Sequence, residues 1–499
     1  MFFDLKKDIH KEHKEHQSEY EERKAKREEL TRAGIQPYPS ESHRSHSVSE
    51  CLSAFDEWMK KGESVLLAGR VRSIREHGGL TFLSLEDASG VIQFVFKKDH
   101  LGADVYDSFL RLVDVGDFIE ISGTLFLTKR GEKSVDVSKW RILTKALRPL
   151  PEKWHGLQDV EERLRRRYLD LIMNSAEREL FEKKSRFWYA MRSYLIHESF
   201  LEVETPVLEH TPGGADAEPF ATHMNALDMD LYLRISLELP LKRLIVGGFE
   251  KVFEIGRIFR NEGVDREHLQ DYTQLELYWA YVDYKKMMTF VRLMYQDVIQ
   301  KTLGSLTHEW NGQTIDWGGI WKTVEYVDVF KEKTGLDPLA AKEADLISLA
   351  KKHKLDPDKH IGRARLLDLL FKKLARPSMI QPVFLVNPPV EIEPLAKRMS
   401  GDPMRVERFQ VMACGSEIGK GFSELNDPID QRARFEEQMK LRKAGDREAQ
   451  MMDEDFVEAL EYGMPPTAGF GTSERLFSVI MNRPIRETVF FPLMRPVQK

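Results

Sequence analysis

From Ser64 the chain alternates apolar and polar residues with the period of β-strands: "SVLLAGRVRSIR", "GLTFLSLED", "GVIQFVF", "VGDFIEISGTLFLT" and "KSVDVSKWRILT". Turn signals such as "REHGG" and "DASG" separate them. Between the third and fourth runs, "DHLGADVYDSFLRLV" predicts a short helix. Upstream, residues 4–33 are dense in charges of mixed sign, with Glu19/Arg23 and Glu22/Lys26 at helical spacing, so a solvated helix is expected. "GIQPYPSESHRSHS" breaks it and reads as a linker. Downstream, "ALRPLPEKW" ends the strand-rich region, and Leu180, Phe187, Met191 and Leu195 mark a helix over 176–198. That helix runs into "SFLEVETPVL", a strand stopped at Pro206. The rest mixes strands and helices without strict βαβ alternation, which predicts an antiparallel α+β domain. Residues 310–400 are helix-rich and read as an insertion.

Five strands with a helix after the third is the order of an oligonucleotide-binding barrel. Phe82 and Gln93 fall on its second and third strands, offering a stacking plane and an amide that can read a base edge. Strand aromatics more often pack inward, so a core role for Phe82 stays open.

Composition narrows the setting. The chain has 499 residues, 41% hydrophobic and 31% charged, enough for two or three domains with sizeable cores. Two cysteines, Cys51 and Cys414, exclude a disulfide framework. No apolar run approaches the ~18 residues of a membrane span, and the first residues lack a signal peptide's apolar stretch, so a cytoplasmic location without membrane contact is expected. With a net charge of -6, nucleic acid must be met by local basic patches such as "RLRRRY".

The densest chemistry lies in "NEGVDREHLQD", flanked by the strand-like "KVFEIGRIFR" and "YTQLELYWAY", which makes it the loop of a long hairpin. Arg260 can fork onto a phosphate or carboxylate, and Glu262 can orient an amino group. In isolation the pair would read as a surface ion pair. Near the C-terminus "PPTAGFGTSERLFSVIM" runs glycines into a helix opening near Ser473, with Arg475 in its first turn.

Taken together, "FLEVETP", "FRNEG" with "LEL", and "GFGTSERL" match in order and spacing the three signatures of the class II aminoacyl-tRNA synthetases. "TPGGADAEPFATH", "EIGKGFSELNDP" and the strand pair around Arg260 resemble the lysyl-tRNA synthetase family within class IIb. The resemblance runs from about residue 60 to the C-terminus and is weakest over 310–400. It implies a charged helical extension and linker over 1–60, an anticodon-binding barrel over 61–150, a linker over 151–175, and a catalytic domain over 176–499. It also implies a homodimer, built on the 176–206 signature, that activates L-lysine with ATP and Mg²⁺ and loads tRNA(Lys).

By the same resemblance, Arg260, Glu262 and Arg475 are catalytic, and His268, Tyr272 and Glu417 join them around ATP. Gly214 and Glu238 hold the substrate's amino group, and Glu276 and Glu424 receive its side-chain ammonium beside Tyr278, Lys420 and Phe422. Two acids at the end of an apolar slot suit an ammonium and argue against an aspartate or asparagine substrate. Arg70, Phe82, Gln93 and Glu132 match anticodon-reading positions, which favours Phe82 as a platform.

The chain departs from the family at Leu269, Gln270, Asp271 and Tyr272, at Gln410, which pairs with Glu417 as the candidate metal ligands, and at Lys420. Lys420 reads either as a phosphate-binding cation replacing part of a metal's role or as the partner of a nearby acid. "HIGR" at His360 and "RMSGD" at Arg398 faintly echo class I signatures without a Rossmann pattern around them. A ligase that loads a protein, or a weakly catalytic tRNA-binding paralogue, are the competing functions; the barrel speaks against the first and the retained Arg260, Glu276, Glu424 and Arg475 against the second.

Overall fold

The computed structural model describes residues 2–151, 159–261, 263, 267–357 and 362–496, with side chains from Gln17 onward. The chain divides into two units, Met1–Gln158 and Asp159–Lys499.

In the first unit, strands β1 (Ser64–His77), β2 (Leu80–Asp87), β3 (Gly90–Lys97), β4 (Phe118–Leu127) and β5 (Lys133–Thr144) close into a barrel in the order β1-β2-β3-β5-β4. Only β3 and β5 pair in parallel among the described barrel strands. Period-two alternation fills the inside with Leu83, Leu85, Phe94, Phe96, Ile119 and Ile121. The expected helix, Ala103–Leu112, stacks Phe109 on Phe96 at 3.8 Å between ring centroids.

The leading helix, Phe2–Arg32, is less solvated than its charge pattern predicts. Leu30 joins the barrel core, Arg23 donates to the Val115 carbonyl (3.0 Å), and Lys26 donates to Asp114 (2.6 Å). Two bases that read as intrahelical partners thus anchor the helix to the barrel. The stretch that reads as a linker also lies on it: Ser42 and the His43 amide each donate to Glu120 at 2.6 Å, supplying a buried carboxylate with donors.

The second unit is built on a sheet of β6 (Leu201–Glu202), β7 (Lys251–Phe259), β8 (Asp271–Ala280), β9 (Lys322–Glu325), β10 (Val383–Val386), β11 (Arg408–Ala413), β12 (Ser416–Ser423) and β13 (Thr467–Ser473). Their order is β9-β10-β11-β12-β13-β8-β7-β6. The pairs are antiparallel except β6 with β7 and β9 with β10 at the two ends.

A parallel pair needs a long crossover, and the helices Tyr326–Thr334, Glu343–Lys352 and Arg363–Leu370 lie between β9 and β10. The stretch that reads as an insertion therefore contributes two strands to the sheet. On one face the helices Ser175–His197 and Tyr284–Leu303 cover Phe253, Leu275, Leu277, Phe409 and Phe470, with the predicted Leu180, Phe187, Met191 and Leu195 all buried there. The opposite face holds the polar residues.

Candidate active site

Four neighbouring strands make the floor of the site. One cross-strand row runs Glu276, Gly471, Lys420, Gln410, and the next runs Tyr278, Gly469, Phe422, Arg408. Period two therefore sends Gln274, Glu276 and Tyr278 from β8, and Lys420 and Phe422 from β12, to one face, with Glu424 just past the end of β12. The strand between them must be nearly bare: a Cβ on Gly469 would lie 2.2 Å from Glu424 Oε1 and 2.4 Å from the Tyr278 ring. The glycines of "GFG" thus open a cavity of about 240 Å³, several times the ~30 Å³ that one water occupies in the liquid.

Inside, Glu276 is buried and orderly. Its Oε1 accepts from Ser236 Oγ (2.7 Å), the Leu237 amide (3.2 Å) and Gln274 Nε2, whereas among the described residues Oε2 accepts only from the Tyr278 hydroxyl (2.9 Å). A carboxylate offers about four acceptor positions, so the unspent capacity is on Oε2. Glu424 is buried too; neither of its oxygens has a hydrogen-bond partner among the described residues, and only Oε2 has a cation beside it, in an ion pair with Lys242. Lys242 comes from the Glu238–Val246 helix, is completely buried, and also donates to Glu238 Oε1 at 2.5 Å.

Gly214 closes on this acid at φ +82°, where a Cβ would lie 2.8 Å from that of Glu238. Burial pushes the Glu238 carboxyl up to about 7 against the pull of Lys242, and burial drives Glu424 well above the usual carboxylate range.

The other end of the cavity is cationic. Arg260 donates Nε to the Ile235 carbonyl (3.2 Å) and lies 5.7 Å from the centre of the Tyr272 ring. Ser473 caps the Glu474–Ile480 helix, and Arg475 in its first turn donates to the Glu417 carbonyl (3.1 Å) and the Glu267 carbonyl (3.3 Å). Arg475 Nε is buried with no hydrogen-bond partner among the described residues. Glu267 anchors the hairpin loop, accepting from Ser416 Oγ (2.7 Å) and Arg376 (2.9 Å). His268 is half-buried on that loop, outside the described lining of the cavity. Glu262 lies outside the described residues.

Gln410 donates Nε2 to Glu417 Oε2 at 2.6 Å. Among the described residues no three His, Cys, Asp or Glu side chains gather to cage a metal. One carboxylate beside an amide fits Mg²⁺ nonetheless, because that ion takes one or two protein ligands and completes its shell with phosphate oxygens and water. Lys420 has an acid partner: its Nζ pairs with Glu393 Oε2 at 2.8 Å, with Arg408 at 3.6 Å from the same oxygen. Burial alone would raise the Glu393 carboxyl, but Lys420 and Arg408 hold it below the usual range.

Sequence reasoning missed Ser236, Lys242, Gln274 and Glu393. Gln274 could have been found from period two on the "YTQLELYW" strand, and Lys242 from its place four residues after Glu238 on a helix. Nothing local marks Glu393, which meets Lys420 through tertiary structure.

On the barrel, Leu83 and Leu85 point inward, which turns Phe82 and Ser84 outward, with Phe82 half-exposed. Gln93 sits opposite Ser84 and donates to Ser134 Oγ (2.9 Å). Arg70 lies over the Phe118 ring at 4.2 Å and donates to the Gly116 carbonyl, and Glu132 is exposed two residues before Ser134.

Residues 159–495 match the family model described as tRNA synthetases class II (D, K and N), and residues 65–143 match the OB-fold nucleic acid binding domain. The chain is 47% identical over 480 residues to a lysine–tRNA ligase of Roseiflexus castenholzii, covering 95% of this chain and 98% of that one. It is 44% identical over 493 residues to that of Bacillus subtilis (97% and 98% covered), and 44% over 486 to that of Thermotoga maritima (96% of each).

Proposed function

Because the chain belongs to the lysine–tRNA ligases among the class II tRNA synthetases, we propose how its own residues divide the two steps, ATP-dependent activation of L-lysine and transfer of the lysyl group to the 3′ end of tRNA(Lys). The observation that supports the pocket assignment is Glu424 Oε1, a buried acceptor left without a donor. A buried carboxylate oxygen costs about 1–3 kcal/mol or more while unmet, and the substrate's ε-ammonium is the donor that meets it, together with Glu276 Oε2 and the Tyr278 hydroxyl. Glu238 and the Gly214 backbone take the α-ammonium, and Phe422 walls the aliphatic stem.

Held so, the lysine carboxylate attacks the α-phosphorus of ATP, the bond to pyrophosphate breaks, and lysyl-adenylate forms. Arg260 faces the α-phosphate, where its fixed charge offsets the negative charge that builds on the pentacoordinate phosphorus. Arg475 turns its unpartnered Nε to the nucleotide, and Tyr272 stacks under adenine with Glu262 and His268 nearby. Glu417 with Gln410 would hold Mg²⁺, which when bound neutralises the triphosphate. In the second step a hydroxyl of the terminal ribose attacks the lysyl carbonyl and AMP leaves.

In this reading the barrel presents Arg70, Phe82, Gln93 and Glu132 to the anticodon. The protein works in the cytoplasm as a homodimer, supported by exposed Tyr189, Ile196, Leu201 and Leu208 along the Ser175–His197 helix and the strands after it. Among the described residues no helix is long and apolar enough to cross a membrane. The relatives' full-length coverage, barrel included, disfavours a protein-loading ligase. Lysine-dependent ATP–pyrophosphate exchange together with charging of tRNA(Lys) tests the reading. Exchange without charging, or neither, rejects it.

A further inference from the structure

The pocket contains an ammonium of its own. Lys242 sits on the Glu238–Val246 helix with no exposed surface, paired to Glu238 and Glu424, its Nζ 5.3 Å from the centre of the Phe422 ring and 5.8 Å from that of Phe456. A cation buried this deeply is costly unless something requires it. Three carboxylates, Glu238, Glu276 and Glu424, meet here. A diamino acid seated as described above brings two ammonium groups, one fewer than the carboxylates.

We infer that Lys242 is a specificity-determining positioning residue: it neutralises the third carboxylate and orients Glu424 so that Oε2 is occupied and Oε1 faces the substrate, matching the pocket to a ligand with two positive charges. This rests on the lysine-activating reading of the site. Geometry supports it from both sides. Glu424 Oε1 occupies space that only the missing side chain of Gly469 leaves open, and the ion pair of Lys242 with Oε2 fixes which oxygen lies there. Lys242 and Glu238 are one helical turn apart on a buried face, which fixes the ammonium without a mobile stem.

The other charged or titratable groups around these acids are Tyr278 from β8, Glu209, which acts on Glu276, Asp216, Arg260, Glu417 and Arg475 along the cavity, and a cluster of one acid and two bases, Glu393 with Lys420 and Arg408. None of these reaches Glu424 as a hydrogen-bond donor among the described residues.

Without Lys242 the three acids cannot all stay ionised in a buried site, so one takes a proton that lysine must displace. The pH dependence that Glu238 already gives the lysine KM then reaches to higher pH, the KM falling up to tenfold per unit as pH rises through the range where that acid titrates. Lysine-dependent exchange is measured from pH 6 to 9 for the wild type, Lys242→Met, Lys242→Arg, and Lys242→Met combined with Glu424→Gln. Lys242→Met should raise the lysine KM at least 30-fold at pH 7, leave the ATP KM within threefold, and move the acid limb of the lysine profile up by one pH unit or more. Adding Glu424→Gln restores two carboxylates for two ammonium groups, so it should return the limb to the wild-type position while the KM stays raised for want of the Glu424 acceptor, and Lys242→Arg should keep the wild-type limb.

Equal losses at every pH in Lys242→Met, or a double variant whose limb stays shifted, would overturn the inference. If Lys242→Met does not fold, a shifted limb in Lys242→Arg overturns it and an unshifted one supports it. A wild-type protein without lysine-dependent exchange rejects the functional reading itself.

Discussion

Replacing Glu276 by glutamine changes one atom and one charge, and the surrounding donors decide which atom. Ser236 Oγ, the Leu237 amide and Gln274 Nε2 all point at Oε1, so the glutamine carbonyl oxygen must stay there and the new NH₂ group takes the place of Oε2. That position faces the Tyr278 hydroxyl and, in the bound state, the substrate's ε-ammonium. Tyr278 tolerates the change, because its hydroxyl can accept as well as donate. The ammonium does not, having lost a charged acceptor and gained a donor in its place. A charge-assisted hydrogen bond contributes about 1.5–3 kcal/mol, and leaving a buried charge poorly paired costs about 3–5. With Glu424 still present, a loss of about 2–4 kcal/mol is expected, or roughly 30- to 1000-fold in kcat/KM for lysine. Exchange at varied lysine and fixed ATP, then the reverse, reads it: the ATP KM should stay within about threefold. If lysine activation by Glu276→Gln equals that of the wild type, Glu276 does not hold the ammonium. An equal rise in both KM values would mean that the change acts through the fold.

Phe82→Ala should cost about 1–3 kcal/mol in tRNA charging through lost base stacking, with exchange unchanged; a fall in exchange equal to the fall in charging would return Phe82 to a structural role. Burial pushes Glu238 up to about 7, and a protonated carboxyl cannot take the α-ammonium as an anion, so the wild-type KM for lysine should rise as pH falls through about 7; a flat profile from pH 6 to 8 contradicts this. Gln410→Glu adds a carboxylate beside Glu417 and should lower the Mg²⁺ concentration giving half-maximal exchange by about threefold or more, and an unchanged Mg²⁺ titration removes Gln410 from that site. Tyr189→Asp combined with Ile196→Asp should give a monomer by sedimentation, and a dimer of unchanged stability would move the interface elsewhere.

The family resemblance named these site residues in the sequence, and strand periodicity explains why they share a face. Glu276 and Tyr278, or Lys420, Phe422 and Glu424, are legible as one face because a strand returns to the same side every second residue. The barrel was legible for the same reason, and its inward Leu83 and Leu85 require Phe82 to face out. What stayed hidden depends on which segments meet in space. The leading helix carries a charge pattern that would satisfy itself in solution, yet Arg23 and Lys26 bond to the barrel, because a carbonyl and a carboxylate near its rim gain more from a cation than exposed Glu19 and Glu22 do.

Lys420 shows the same limit within the site. Its ammonium, added where the family has an amide, carries a charge that a half-buried position disfavours without a partner. The partner is Glu393, a buried carboxylate 27 positions away in sequence that Arg408 approaches only to 3.6 Å. Each of the two explains the other: Glu393 without Lys420 would be an under-compensated buried anion, and Lys420 without Glu393 an under-compensated cation beside Arg408. Their pairing offsets the two charges only in part, because Arg408 faces the same carboxylate and Lys420 still lowers the Glu238 carboxyl against the effect of burial.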